Sequence, residues 1–280
     1  MPRIRADRCP GVVHPWPADD GGLVRVRVPG GRVSLASLSA LVAVAEEHGD
    51  GRVRTTGRAN LQLRAMPLEG DRLAGPALAD LEATGLLPSR THDRVRNVLA
   101  SPQTGLVGGR VDLRPVVAAL DALLLEDETL AGLPGRFLFT LDDGRGDLAD
   151  RHRDLGLVAL DATRAQLRIG PRYGDVVALD AAADALADLA RRFLVARGTG
   201  PEAAWHVDEL PEPPAPLDPP VAPEAGADVR AEPLPYGPVP GGEHVPVGDD
   251  GLDAPTVARW TAPTVVVTPW HGVLIPEETP

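Results

Sequence analysis

The stretch Gly51-Arg52-Val53-Arg54-Thr55-Thr56-Gly57-Arg58-Ala59-Asn60-Leu61-Gln62-Leu63-Arg64 decides how this chain is read, because a period of two sorts its side chains almost completely. Even positions carry Arg52, Arg54, Thr56, Arg58, Asn60, Gln62 and Arg64; odd positions carry Val53, Thr55, Gly57, Ala59, Leu61 and Leu63. The pattern predicts a strand over 52–65 with one polar and one apolar face. Fully extended it would span roughly 40 Å, too long for an ordinary strand, so a bend or bulge is expected at Gly57. Four guanidinium groups share the polar face with no acid between them. Either this is a solvent-washed outer face, or it is a surface that grips a multiply anionic ligand through paired hydrogen bonds, with Thr56, Asn60 and Gln62 supplying neutral ones.

Working outward, 22–28 (Gly-Leu-Val-Arg-Val-Arg-Val) alternates apolar and charged residues like a half-buried strand, and Pro29-Gly30-Gly31 ends it. Ser34 is placed to cap a helix burying Leu38, Leu41, Val42 and Ala45, with Gly49 as its stop. A second unit follows the Pro/Gly punctuation at 67–76. It has helices around 76–84 and from Asp112-Pro115 onward, strands at 136–141, 155–160, 166–169 and 175–179, and a helix capped by Asp180 that buries Leu186, Leu189, Phe193 and Leu194. Asp142-Asp143-Gly144-Arg145-Gly146-Asp147 lacks calcium-loop spacing and reads as a solvated turn. Residues 201–240 hold 12 of the 30 prolines and read as a Pro/acid-rich linker. Beyond it, 244–247 and 264–275 read as strands and 255–260 as a short helix. Aligning Arg54-Thr55-Thr56-Gly57 with Val266-Val267-Thr268-Pro269 pairs Leu61 with Val273 and Leu63 with Ile275, which points to an internal repeat.

The 280 residues carry a net charge of −12, and every one of the 28 basic residues is Arg. Residues 1–200 balance 26 Arg against 26 acids, whereas 201–280 hold 2 against 14, so the acidic excess lies in the tail. A globally basic nucleic-acid binder is disfavoured, and 3% aromatic content leaves few platforms for stacking bases. The single cysteine, Cys9, reads as a buried structural thiol and cannot supply the thiolate set of an iron-sulfur cluster or a CxxC zinc site. The seven histidines show neither HxH nor HExxH spacing, so no metal ligands are expected. Phosphate-cradling GxxxxGK[ST] and the nucleophile elbow GxSxG are missing, and no strand runs into a GxGxxG turn. With no signal-like start and no apolar run of about 18 residues, a cytoplasmic protein without membrane or nucleic-acid partners is expected.

The run from Gly51 to Arg64 resembles the Arg-x-Thr-x-Arg-x-x-x-Gln strand of the siroheme-dependent nitrite and sulfite reductases. With Cys9-Pro10-Gly11 and 23–31 before it, the likeness is closer to the precorrin-3B synthases of cobalamin biosynthesis. Matching segments continue in order: Arg96-Asn97-Val98-Leu99-Ala100-Ser101-Pro102, Leu133-Pro134-Gly135-Arg136-Phe137, 150–160, and Thr268-Pro269-Trp270-His271-Gly272. The resemblance implies an α/β (α+β) fold in which ferredoxin-like half-domains, 8–68 and a shortened 241–280, flank a nitrite/sulfite reductase-type α/β domain at 76–200, with 201–240 as linker. It also implies a tetrapyrrole and anion site at Arg54, Thr56, Arg58, Asn60, Gln62, Arg96, Asn97 and Arg136, catalytic residues staying unassigned.

The implied family reaction is oxygen-dependent hydroxylation of a precorrin with lactone formation, an oxidoreductase chemistry that uses an iron-sulfur (4Fe-4S) centre. Three departures qualify it. Cluster cysteines would follow the Thr-Pro-Trp motif, and the sequence ends at Pro280 with none, so a shortened or truncated member is expected. Leu138 stands where sulfite reductases have another basic residue, although precorrin-3B synthases also lack it, and His271 stands where the family usually has Arg. The readings carried forward are a precorrin-3B synthase-like enzyme; a non-catalytic binder of siroheme or a precorrin, or a subunit completed by a cluster-bearing partner chain; and a siroheme nitrite/sulfite reductase-like protein.

Overall fold

The computed structural model describes residue 7 and residues 9–200, 202–210, 217 and 220–277. The chain mixes helix and sheet throughout and divides into two units, one of Cys9–Arg94 with Leu234–Pro280, the other built on Val95–Pro233. The first therefore joins two pieces that are distant in sequence. Residues 76–94, expected in the central domain, belong with it, as does the helix α2 (Gly75–Ala83).

That unit holds two antiparallel sheets of the same plan. In one, the order is Trp16–Ala18, Gly21–Val26, Leu61–Met66, Arg54–Thr55. In the other it is Gly237–Val239, Gly242–Pro246, Gly272–Pro276, Thr264–Thr268, with Arg32–Ser34 added at the edge. Each places a helix before its last two strands: α1 (Leu35–His48) and the short α5 (Ala254–Val257). Both have side-chain caps, since Ser34 Oγ accepts from Ser37 N at 2.9 Å and Asp253 Oδ1 accepts from Thr256 N at 2.9 Å. The registers coincide residue for residue: Arg54 faces Gln62 and Thr55 faces Leu61, while Val266 faces Leu274 and Val267 faces Val273.

The single long strand expected over 52–65 is instead a hairpin, and the same holds for 264–275. The chain turns back within 56–60, with Ala59 in the left-handed region at φ 53°; His271 occupies the same place in the second hairpin at φ 58°. Neither residue announces that conformation, which glycine adopts more readily, so period two alone could not reveal the reversal.

In the Val95–Pro233 unit, a five-stranded sheet runs Arg172–Ala178, Arg164–Ile169, Leu155–Ala159, Phe139–Asp142, Val98–Ala100, its last three strands mutually parallel. Helices α3 (Arg114–Glu126) and α4 (Ala182–Ala196) pack against one another. Leu155–Ala159 is buried along its whole length, as a central strand should be. Phe137 anchors the core between Phe139 and Phe193, at ring-centre distances of 5.3 and 4.8 Å.

Three expectations are corrected here. Asp180 does not cap α4, which follows a short 3-10 turn at Leu179–Ala181. The 142–147 turn is not solvated: Asp142 is buried and accepts from the backbone of Gly144, Gly146 and Leu148, and Asp143 is buried against Arg145. The segment after α4 is no free linker. Ala204, Val207, Leu210 and Leu217 are buried in the core, and Gln166 ties the chain at 222–224 to the sheet by donating to Ala222 O and accepting from Glu224 N. A few apolar residues at intervals in a proline-rich run suffice for a strap, because the sheet it covers supplies the rest of the buried surface.

Candidate functional site

The hairpin changes what the arginine row can do. Arg54 and Gln62, directly opposed on antiparallel strands, project to one side, and Arg25 opposes Gln62 from the other neighbour. Three of the four expected guanidinium groups are neutralised by carboxylates of the chain itself. Arg52 meets Asp253 at 2.5 Å, Arg54 meets Asp50 at 2.7 Å while donating to Asp249 O, and Arg64 meets Asp20 at 2.9 Å. The expectation of a bare row on one strand face therefore fails, because alternation shows which residues share a face but not which acids fold against it.

Arg58 sits half-buried in the hairpin turn. Thr56 Oγ1 shapes that turn by accepting from Asn60 N at 3.2 Å. Asn60 is itself buried and accepts from Val28 N at 3.0 Å, so it braces the sheet. Gln62 accepts from Arg25 at 3.3 Å.

Two arginines that the sequence reading passed over form the most distinctive electrostatic feature of this unit. Arg25 and Arg27 alternate with Val24, Val26 and Val28, which reads as an ordinary wet face, yet Arg27 is only 2% exposed. Its guanidinium donates to Cys9 Sγ at 3.5 Å and to Pro10 O at 3.2 Å, and Arg25 approaches the same sulfur at 4.0 Å. Burial first, then the neighbouring charges of Arg25 and Arg58, pull the Arg27 pKa down to about 10, against the opposing pull of Cys9 and Asp93. Asp93 accepts from Val12 N and Val13 N at 2.6 and 2.9 Å, and its burial holds its pKa above the ordinary carboxylate value. The signal in the sequence was there: two arginines spaced two apart on the strand that flanks the Gln62 strand.

Within the same unit, a Cβ on Gly57 would lie 3.8 Å from His271 Nε2, so the two hairpin turns adjoin. His244 takes the position in the second sheet that Arg25 holds in the first, opposite Leu274 where Gln62 stood. Fully buried, it contacts Thr268 Oγ1 through Nε2 at 2.9 Å and the carbonyls of Leu234 and Pro235 through Nδ1 at 3.1 Å. Two carbonyls at Nδ1 assign the proton to that nitrogen. The second sheet has thus exchanged a charged position for a neutral, satisfied one.

In the Val95–Pro233 unit, the three expected site residues have other duties. Arg96 forms a two-pronged pair with Asp121 of α3, both bonds 2.7 Å, and Asn97 donates to Gly135 O at 3.0 Å while buried. Arg136 is exposed, its guanidinium carbon 5.9 Å from the centre of the Trp205 ring.

Residues 17–70, which contain the hairpin, Arg25, Arg27 and Arg58, match the family described as the nitrite/sulfite reductase ferredoxin-like half domain. The chain carries a half-domain of that family. Over 79 residues the chain is 35% identical to a precorrin-3B synthase of a Sinorhizobium species, spanning 28% of this chain and 17% of that protein. Another 134-residue match is 33% identical to the ferredoxin--nitrite reductase of Synechococcus elongatus, spanning 44% of this chain and 25% of that protein. The matched stretches thus cover a quarter or less of these curated relatives. The fold extends further than the sequence likeness: the NirA protein of Mycobacterium tuberculosis superposes at a TM-score of 0.68 and 18% identity, over 96% of this chain and 60% of that one.

The half-domain's residues suit one of the two groups this family implies. Arg25, Arg27 and Arg58 concentrate positive charge where carboxylates of a macrocycle could be paired, and Gln62 adds a neutral hydrogen-bonding group beside them. An iron-sulfur cluster does not fit, because the chain's one thiol lies between two guanidinium groups and a cluster takes about four thiolates. Among the described residues no helix is long and apolar enough to cross a membrane.

Proposed function

We propose that the half-domain unit binds a polycarboxylate tetrapyrrole of the precorrin or siroheme kind, with Arg25, Arg27 and Arg58 as the charged contacts and Thr56 and Gln62 as neutral ones. The observation that carries this reading is the convergence of guanidinium groups in this unit: Arg25 and Arg27 approach one sulfur, Cys9 Sγ, at 4.0 and 3.5 Å, and burial first, with the charges of Arg25 and Arg58 adding to it, holds the Arg27 pKa down at about 10. Such a concentration of like charge is relieved by an anion, and acetate and propionate side chains are anions of matching shape. Arg54 and Arg96, committed to Asp50 and Asp121, leave the list of primary contacts.

The family likeness supports a precorrin-3B synthase-like oxidoreductase of cobalamin biosynthesis as the activity in which this binding would serve. In that role this chain's part is to hold and orient the macrocycle. A second reading, a tetrapyrrole-binding protein or subunit without redox chemistry of its own, is favoured by the setting of Cys9.

Titration with siroheme or a free-base uroporphyrin, followed by absorption, tests the binding. Arg25→Ala and Arg58→Ala should each weaken it about 10-fold or more, the loss of one charge-assisted contact. Arg64→Ala, which removes an exposed guanidinium already paired with Asp20, should change it less than twofold. Unaltered affinity in both of the first two variants would refute the site. Iron and sulfide analysis after anaerobic purification separates the two readings of the activity.

A further inference from the structure

We propose that the Val95–Pro233 unit carries a divalent transition-metal site, of the zinc class, made by His152, Asp154 and His206. The three residues come from two places. His152 and Asp154 precede the central strand Leu155–Ala159, whereas His206 lies in the strap beyond α4. One donor atom from each lies within 4.8 Å of the other two.

The spacing of the closest donors is the first argument. His206 Nδ1 stands 3.2 and 3.4 Å from the two carboxylate oxygens of Asp154. A cation bound at about 2.0–2.2 Å to two donors, with a near-tetrahedral angle between them, holds those donors roughly 3.4 Å apart. The cluster needs little rearrangement to close on an ion, because replacing the hydrogen bond by a metal leaves both groups where they are.

Preorganisation is the second. Asp154 is fully buried, and its carboxylate is fixed by the backbone N–H groups of Leu138 at 2.8 Å and Val207 at 3.0 Å. The rings of His152 and His206 meet edge to face with centres 4.9 Å apart. Asp208 Oδ2 lies 3.8 Å from His152 Nε2, beyond hydrogen-bond distance. The sequence thus spells His-x-Asp twice, His152-Arg153-Asp154 and His206-Val207-Asp208, and folding sets the two side by side. Local spacing rules miss this because the histidines are far apart in the chain.

Access is the third. His152 is half exposed and His206 is about one-fifth exposed, so an ion can enter from solvent and keep a water on its open side. Two imidazoles and one carboxylate select zinc, cobalt(II) or nickel(II) over calcium and magnesium, which take oxygen ligands. A metal here would pin the strap to the start of the central strand.

The test uses the full untagged chain, freed of metal by chelation and dialysed, then titrated with Zn²⁺ in competition with a chromophoric chelator. One equivalent should bind, raise the melting temperature, and lose that effect on adding EDTA; Co²⁺ should give the visible bands of a low-coordinate site. His206→Ala should weaken binding at least 10-fold. Should that variant unfold, the exposed His152→Ala supplies the same reading with the core untouched. His48→Ala, in the other unit and paired with Asp80, should bind as the wild type does. No Zn²⁺ bound by the wild-type chain, or wild-type affinity in both His152→Ala and His206→Ala, overturns the site.

Discussion

A single hydrogen atom in place of a methyl group keeps the second hairpin closed. A Cβ on Gly272 would sit 2.3 Å from Nε2 of His244, which is fully buried and committed to Thr268. Gly272→Ala should therefore cost about 1–3 kcal/mol, the range for forced overpacking, measured by denaturant unfolding. The same histidine links stability to pH. Burial lowers its pKa below the usual 6.5, so the unfolded chain takes up a proton that the folded one resists. The stability this confers is present above pH 6.5 and is lost progressively as pH falls through that value toward the folded-state pKa. His244→Gln should flatten that part of the stability–pH curve, and an unchanged slope would contradict the assignment. At this scale the sequence was read well where a residue's role follows from its neighbours along the chain, as for Ser34. It was read poorly where the role depends on a carboxylate far away in sequence, as for Arg52 with Asp253 and Arg96 with Asp121. The distribution of charge over a strand face cannot be known until its counter-charges are placed.

Elements were legible to the extent that one period covered them. The strand at Gly21–Val26 and the helix α1 follow from their patterns, and α1 has the cap that Ser34, the residue before it, promised. Ser34→Ala should cost about 1 kcal/mol, because Ser37 N loses its acceptor at an exposed helix end; a thermal melt shows it as a small, clean shift. Hairpins were less legible. Alternation continues through Arg54, Thr55 and then Leu61 to Arg64, since residues that face each other across the turn keep the inside–outside order of one extended strand. What marks the reversal is backbone conformation at Ala59 and His271, and neither side chain signals it. The repeat, by contrast, was accessible by alignment because both copies reverse at the same register. Its second copy places Val266 and Leu274 where the first has Arg54 and Gln62, so twofold relatedness of backbone coexists with opposite polarity on the corresponding face.

Across the whole chain, the order of segments in sequence differs from their grouping in space. Every residue of the principal core cluster lies between Val95 and Leu217, and the strap that covers its sheet ends before Leu234. The half-domain unit has no such continuity: the edge strand Arg32–Ser34 pairs with Thr264–Thr268, and Val53 pairs with Leu252, so its first piece depends on its second for sheet partners. Composition could not disclose this, because the acid- and proline-rich region at 201–240 looks like a spacer whichever side it packs on. A fragment of residues 95–233 should therefore fold alone and melt cooperatively. A fragment of residues 9–94 should show weak near-ultraviolet dichroism and bind a hydrophobic dye, having lost the partners of both Arg32–Ser34 and Val53. Adding residues 234–280 as a separate peptide should restore its dichroism, because the missing strands then return through pairing and not through covalent connection. Native-like hydrogen-exchange protection in the 9–94 fragment without that peptide would show that the first sheet is sufficient by itself, and would move the unit's folding nucleus away from the junction between its two pieces.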